Sequence, residues 1–219
     1  MTLLRRVSAE ILGTGLLLAT VVGSGIMAER LAGGNVAVAL LANSLATGAG
    51  LVTLILTFGP ISGAHFNPVV SLLALLRGQL AARDCAAYIL GQVLGAFAGV
   101  TLAHVMYELP LITMSQHARA GMGLAASEFV AKLGLLLVIA LTARHRPGST
   151  PFAVAAYIVA AYWFTASTSF ANPAVTLARS VTDTFTGIRL ADVPAFLTAQ
   201  VTACFAAFTL TRWMLEESV

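Results

Sequence analysis

Few side chains here could do chemistry in an apolar setting, and their spacing is not that of an enzyme. Glu10, Glu128 and Lys132 lie well inside long hydrophobic runs, where an ionisable residue marks a functional position by default. Glu128 and Lys132 are four residues apart on a run of helical length, so they can pair on one face and lower the cost of both charges. No Ser/His or paired-Asp arrangement accompanies them, and His104, His117 and His145 stand apart without metal-ligand spacing. Cys85 and Cys204 show no pairing pattern and read as packing residues. The expectation is no catalytic group, no metal and no cofactor.

The more telling residues are Asn67-Pro68-Val69 and Asn172-Pro173-Ala174, each opening a short apolar segment, 67–76 and 172–181. Asparagine caps the free N–H groups of a helix start, and proline at the first position has no N–H to waste. Each segment is too short to span a bilayer, so each reads as a half-helix. The preceding stretches, 60–66 and 167–171, are rich in small and polar residues. Irregular backbone of that kind is tolerated at membrane depth only where it lines a cavity or is buried in protein.

The elements that must position these motifs follow from composition. The chain has 219 residues, 58% hydrophobic and 10% charged, against a charged share of roughly 25% in soluble globules. It belongs in a lipid bilayer. Six runs are long enough to cross: 8–28, 36–58, 84–106, 124–143, 150–167 and 194–215. The first follows Arg5 and Arg6 but is longer than a signal-peptide core. The net charge of +3 points to lipid headgroups, not nucleic acid. Six spans put both termini on one side. Arg5, Arg6, Arg77, Arg83, Arg144, Arg146 and Arg212 on that side, against Arg30, Arg119, Arg179 and Arg189 opposite, predict cytoplasmic termini in the cell (inner) membrane.

The chain also repeats itself. Glu10-Ile-Leu-Gly matches the stretch opened by Glu128, Asn67-Pro68 matches Asn172-Pro173, and Gln92 with the residues after it matches Gln200 with those after it. A single membrane domain, 1–219, is therefore expected to hold two copies, approximately 1–110 and 120–219. With three spans each, they must sit inverted, bringing the half-helix starts together at the midplane. Gly91, Gly95 and Gly99 in the third span fit close helix packing.

The run Ser62-Gly63-Ala64-His65-Phe66-Asn67-Pro68 together with Asn172-Pro173-Ala174 resembles the paired Asn-Pro-Ala signature of the aquaporin and aquaglyceroporin (major intrinsic protein) family, over essentially the whole chain. The resemblance implies an all-α membrane protein of six transmembrane helices and two re-entrant half-helices. It also implies a homotetramer with a pore in each subunit, passing water and small uncharged solutes by facilitated diffusion. Asn67 and Asn172 would donate to a passing oxygen. Carbonyls of Gly63, Ala64, His65, Thr168, Ser169 and Phe170 would form a ladder of acceptors, and Glu10 and Glu128 would support the loops.

Water-selective members carry an aromatic residue, a histidine, a small residue and an arginine at the outer constriction. Counting without gaps from the motifs puts Thr47, Ala160, Ser169 and Val175 at those positions, with Tyr162 or Trp163 entering if the register slips. Such a filter would be wide and without fixed positive charge, and Thr176 stands where glycerol conductors have aspartate. This pattern resembles the bacterial subgroup associated with arsenical handling, with glycerol-like polyols and arsenous acid as expected solutes. The alternatives are a water-selective channel and, more distantly, an ion- or proton-coupled transporter, which also uses inverted repeats and broken helices.

Overall fold

The structure is a computed structural model and describes Met1–Leu215. It contains eight α-helices among the described residues: α1 Leu3–Leu31, α2 Val36–Ser62, α3 Pro68–Leu76, α4 Ala82–Met106, α5 Met122–His145, α6 Thr150–Phe164, α7 Pro173–Ala178 and α8 Val193–Leu215. Helices α1, α2, α4 and α5, and α8 with its preceding turn, are long and apolar enough to cross a membrane. Helix α6 has only 15 residues, about 22 Å at 1.5 Å per residue. It is preceded by the turn Pro147–Ser149 and followed by irregular chain, so it crosses most of a hydrocarbon core roughly 30 Å thick.

Local chemistry sets the ends of these elements. The Asn35 side chain accepts from Ala37 N and Val38 N to start α2, and Gly63, at φ 88°, ends it in a left-handed conformation. Asn67 and Asn172 take extended backbone, φ −156° and −158°, and cap α3 and α7 ahead of Pro68 and Pro173.

Helix contacts repeat under exchange of the two halves. Helix α1 packs on α2 and α4 as α5 packs on α6 and α8, α3 meets α8 as α7 meets α4, and α2 meets α6 as α3 meets α7. Apolar side chains such as Leu12, Leu16, Leu45, Leu90, Leu94, Phe152 and Phe205 point outward, as a lipid-facing surface requires.

The α1–α4 contact is built on glycine. A Cβ on Gly15 would lie 3.2 Å from Gly95 O, one on Gly91 would lie 3.1 Å from Ile11 and Val7, and ones on Gly95 and Gly99 would overlap the carbonyls of Ile11 and Gly15. Gly59 in α2, by contrast, has open space around it. Substituting Gly95→Val should therefore force the helices apart at a cost of about 1–3 kcal/mol. Thermal unfolding followed by size-exclusion chromatography in detergent should show a clear fall for Gly95→Val and almost none for Gly59→Ala.

Candidate functional site

A cavity of about 430 Å³ runs through the bundle, from Arg77, Gln79 and Arg144 at the end near the termini to Tyr162 and Arg179 at the far end. Helical periodicity supplies its wall. Leu17 and Val21 of α1, Thr47, Leu51 and Ile55 of α2, and Leu135 and Ile139 of α5 line it, as do Thr150, Val154, Ile158 and Tyr162 of α6. Each set recurs every fourth residue, one stripe per helix. Helices α4 and α8 contribute no lining residue and stand behind the half-helices.

The two half-helix starts meet head to head in this cavity. Asn67 Nδ2 donates to Ala171 O at 2.8 Å and Asn172 Nδ2 donates to Phe66 O at 2.8 Å. Each Oδ1 caps the asparagine's own helix, accepting from Val69 N at 3.1 Å and from Ala174 N at 3.0 Å. Both asparagines line the cavity, and each carboxamide nitrogen keeps a second N–H for a passing acceptor. Val69 is buried against Leu136 and Cys204, on the side of Asn67 away from the lumen.

The loops feeding the half-helices alternate into left-handed backbone, at φ 50° and 48° for Ala64 and Phe66, and 59°, 51° and 46° for Thr168, Ser169 and Ala171. Left-handed residues with a Cβ cost roughly 1–2 kcal/mol each, so something must hold them. Glu10 does so in the first half: Oε1 accepts from Ser62 Oγ at 2.6 Å and His65 N at 3.0 Å, and Oε2 from Phe66 N at 2.7 Å and Gln92 Nε2 at 2.8 Å. Glu128 repeats the device, accepting from Phe170 N at 2.9 Å, Ala171 N at 2.8 Å and Gln200 Nε2 at 2.6 Å. Both carboxylates are fully buried. Gln92 and Gln200 each bridge a glutamate to a half-helix hydroxyl, Ser71 at 2.9 Å and Thr176 at 3.0 Å. Sequence reasoning used these glutamines only as repeat markers, although a buried amide at matching positions was itself a signal of a shared polar partner.

Gly63, Ala64, His65, Ser169 and Phe170 line the cavity. Thr168 does not: it is half-buried, and its N–H bonds back to Thr165 O at 3.2 Å. The His65 ring faces the cavity and also shares a 3.0 Å hydrogen bond with Ser71 through Nδ1. Ser169 Oγ is buried and has no hydrogen-bond partner among the described residues.

Lys132 departs from expectation. Its ammonium does not pair with Glu128 but donates to Asn67 Oδ1 at 2.9 Å and Ala171 O at 3.1 Å, tying the first half-helix to the second loop. Its counterpart Thr14 leaves a buried hydroxyl unpartnered.

At the far end Thr47, Ser169 and Val175 are buried in the cavity wall. Ala160 is not there. It is exposed on the outer face of α6, because two residues along a helix is nearly half a turn from the Ile158–Tyr162 stripe. Tyr162 takes the place, its hydroxyl 3.2 Å from Thr47 Oγ1. Trp163 is about half exposed and its indole N–H reaches Ser44 Oγ at 3.3 Å.

Nor is the far end free of positive charge. Arg179, one turn beyond Val175, lines the same cavity and is 3% exposed. Arg119, in the α4–α5 connection, lies behind it and donates from Nε to Gly187 O at 2.8 Å. Burial holds the Arg119 pKa below the ordinary arginine value, against the opposing pull of Glu128 and Tyr162.

With that geometry in view, comparison with known proteins is direct. The Major intrinsic protein family profile matches residues 1–169. The chain is 55% identical to aquaglyceroporin AqpS of Rhizobium meliloti over 214 residues, covering 98% of this chain and 91% of that one. It is 30% identical to aquaporin Z of Photorhabdus laumondii over 72% of this chain and 74% of that one. The X-ray structure of the aquaglyceroporin from Plasmodium falciparum superposes with a TM-score of 0.69 at 21% identity, over 97% of this chain and 95% of that one.

Two substitutions separate the loop-holding role from the clamp. Glu128→Ala strands the N–H groups of Phe170 and Ala171, at about 1–3 kcal/mol each, and should leave little folded protein. Lys132→Met removes a buried amine whose acceptors keep other donors, Val69 N and Asn67 Nδ2. Replacing a buried ion by an apolar side chain of similar volume is often neutral. Its melting midpoint in detergent should stay close to that of the unaltered protein.

Proposed function

Since the chain belongs to the major intrinsic protein family, and is thus a multi-pass membrane channel for small solutes and not an enzyme, we propose that its solutes are glycerol-like polyols and neutral metalloid hydroxides such as arsenous acid. They would pass with water through a pore in each subunit of a homotetramer. The observation that carries this reading is the continuous cavity, with Thr47, Ser169 and Val175 in its wall where bulky or charged groups would close it.

The mechanism is exchange of hydration. A solute bearing several hydroxyls donates to the carbonyls of Gly63, Ala64 and His65 on one loop and of Ser169 and Phe170 on the other. It accepts from Asn67 and Asn172 between them. The apolar stripe of Leu17, Leu51, Val154 and Ile158 opposes this polar track, so carbon faces carbon while oxygen faces the loops. Two half-helix starts, each bearing roughly half a positive charge, oppose cations at the midplane. The name of the Rhizobium relative, an aquaglyceroporin, favours the same class of solute. We place the protein in the inner membrane with both termini cytoplasmic, on the arginine distribution.

Tyr162 and Arg179 in the far end favour a second reading, a narrower water-selective pore. Proteoliposomes distinguish the two. Under the first reading, vesicles shrunk in glycerol re-swell rapidly and direct uptake shows entry of arsenous acid. Val175→Arg would place a second guanidinium one turn from Arg179, slowing glycerol entry by about tenfold, a barrier of ~1.4 kcal/mol. Fast water flow with no glycerol or arsenous acid entry would establish the second reading and sink the first.

A further inference from the structure

We propose that Arg179 sets charge selectivity at the far mouth of the pore, excluding cations and donating hydrogen bonds to the oxygens of entering neutral polyhydroxy solutes; this deepens, and rests on, the channel reading above. The residue four positions earlier, Val175, leaves the wall apolar where a family filter has its arginine, and Arg179, about one turn further along the chain, lines the same cavity.

Arg179 is held as a positioned group. Its Nε donates to Thr186 O, and its guanidinium carbon lies 3.4 Å from the centroid of the Phe170 ring. Arg119 approaches the same ring at 4.9 Å and braces the connection through Gly187 O. With Nε and the ring face fixed, the two terminal nitrogens are the donors left over, and no partner takes them among the described residues. No carboxylate pairs with Arg179 there either; the acids near this end are engaged by His117 and by Arg189. A buried guanidinium without a direct carboxylate partner is costly. Here it is also aimed into the solute path. A cation entering from this side meets fixed positive charge, whereas a hydroxyl oxygen meets a donor.

The test is a split between cation leak and solute entry in proteoliposomes of the full chain. Entrapped indicators report sodium and proton entry under an imposed potential, and light scattering reports glycerol entry. Arg179→Gln should raise cation entry by about tenfold or more, and Arg179→Lys, which keeps the charge without the planar stack, should restore tightness. Arg119→Gln, which removes the neighbouring guanidinium from outside the lumen, should stay tight. Should Arg179→Gln fail to fold, Val175→Asp neutralises Arg179 across one helical turn without removing it, and should leak in the same way. A wild type that admits neither glycerol nor arsenous acid overturns the solute reading alone, because the leak measurement does not depend on either. Cation entry unchanged in Arg179→Gln, or in Val175→Asp if the first does not fold, overturns the present proposal.

Discussion

Irregular backbone can persist at membrane depth only if its N–H groups find acceptors within the protein or a cavity, and in this chain two buried carboxylates provide them. Glu10 and Glu128 each take the last N–H groups before an Asn-Pro motif. That fixes the left-handed residues of the loops, and the left-handed residues in turn direct the loop carbonyls toward the lumen. Once the loops are set, Asn67 and Asn172 can reach across to the opposite loop. The four N–H bonds to carboxylates therefore underlie both the track of acceptors and the pair of donors that interrupts it. They also explain why α4 and α8 stay out of the lumen: their glutamines must stand behind the half-helices to complete the carboxylate shells.

The two halves solve this problem alike but not identically. Ser71 and Thr176 both link a half-helix to its glutamine. Yet Lys132 reaches into the junction where Thr14 cannot, and the ring of His65 in the first loop is answered by that of Phe170 in the second. The second difference has consequences. Phe170 offers a flat apolar face that a guanidinium can stack on, and two arginines use it. A histidine there would bring its own polar edge and compete for the same donors. The asymmetry of the loops thus prepares the far mouth for charge and leaves the near mouth to Arg77 and Arg144 at the surface.

Much of this was readable from residue types alone, and the parts that were not share one cause. Asparagine followed by proline fixes a helix start locally, so the half-helices needed no tertiary information. Glu10 and Glu128 announce themselves because a carboxylate inside an apolar run has to be accounted for. Ala160 was misplaced because an ungapped count from Asn172 crosses the non-helical residues 165–171, where the helical register is lost; the four-residue stripe through Ile158 would have pointed to Tyr162. The partners of Lys132, 65 and 39 residues away in sequence, could not be seen from its own helix, where Glu128 was the visible neighbour. Arg179 enters the sequence reading only as a charge that sets orientation, because the family motif points to the residue directly after Asn-Pro-Ala; about one more turn along the chain reaches it.

That displacement bears on how wide a pore can be while remaining selective. A filter that keeps its arginine beside the half-helix start narrows the passage and charges it at the same level, so size and charge selection are coupled. Carrying the guanidinium on a residue four positions later frees the wall at 175 from it. At the level of Val175 the wall is apolar and of modest volume, and the remaining polar contacts come from Ser169 and the loop carbonyls. Arg179 shares the far end with Tyr162 and Thr47, which are joined through their hydroxyls and provide neutral polar groups there. Coulombic repulsion in a low-dielectric mouth acts over a longer range than steric fit. On the role proposed for Arg179, a cation would be turned back there by charge, whereas a neutral hydroxylated solute would find a donor.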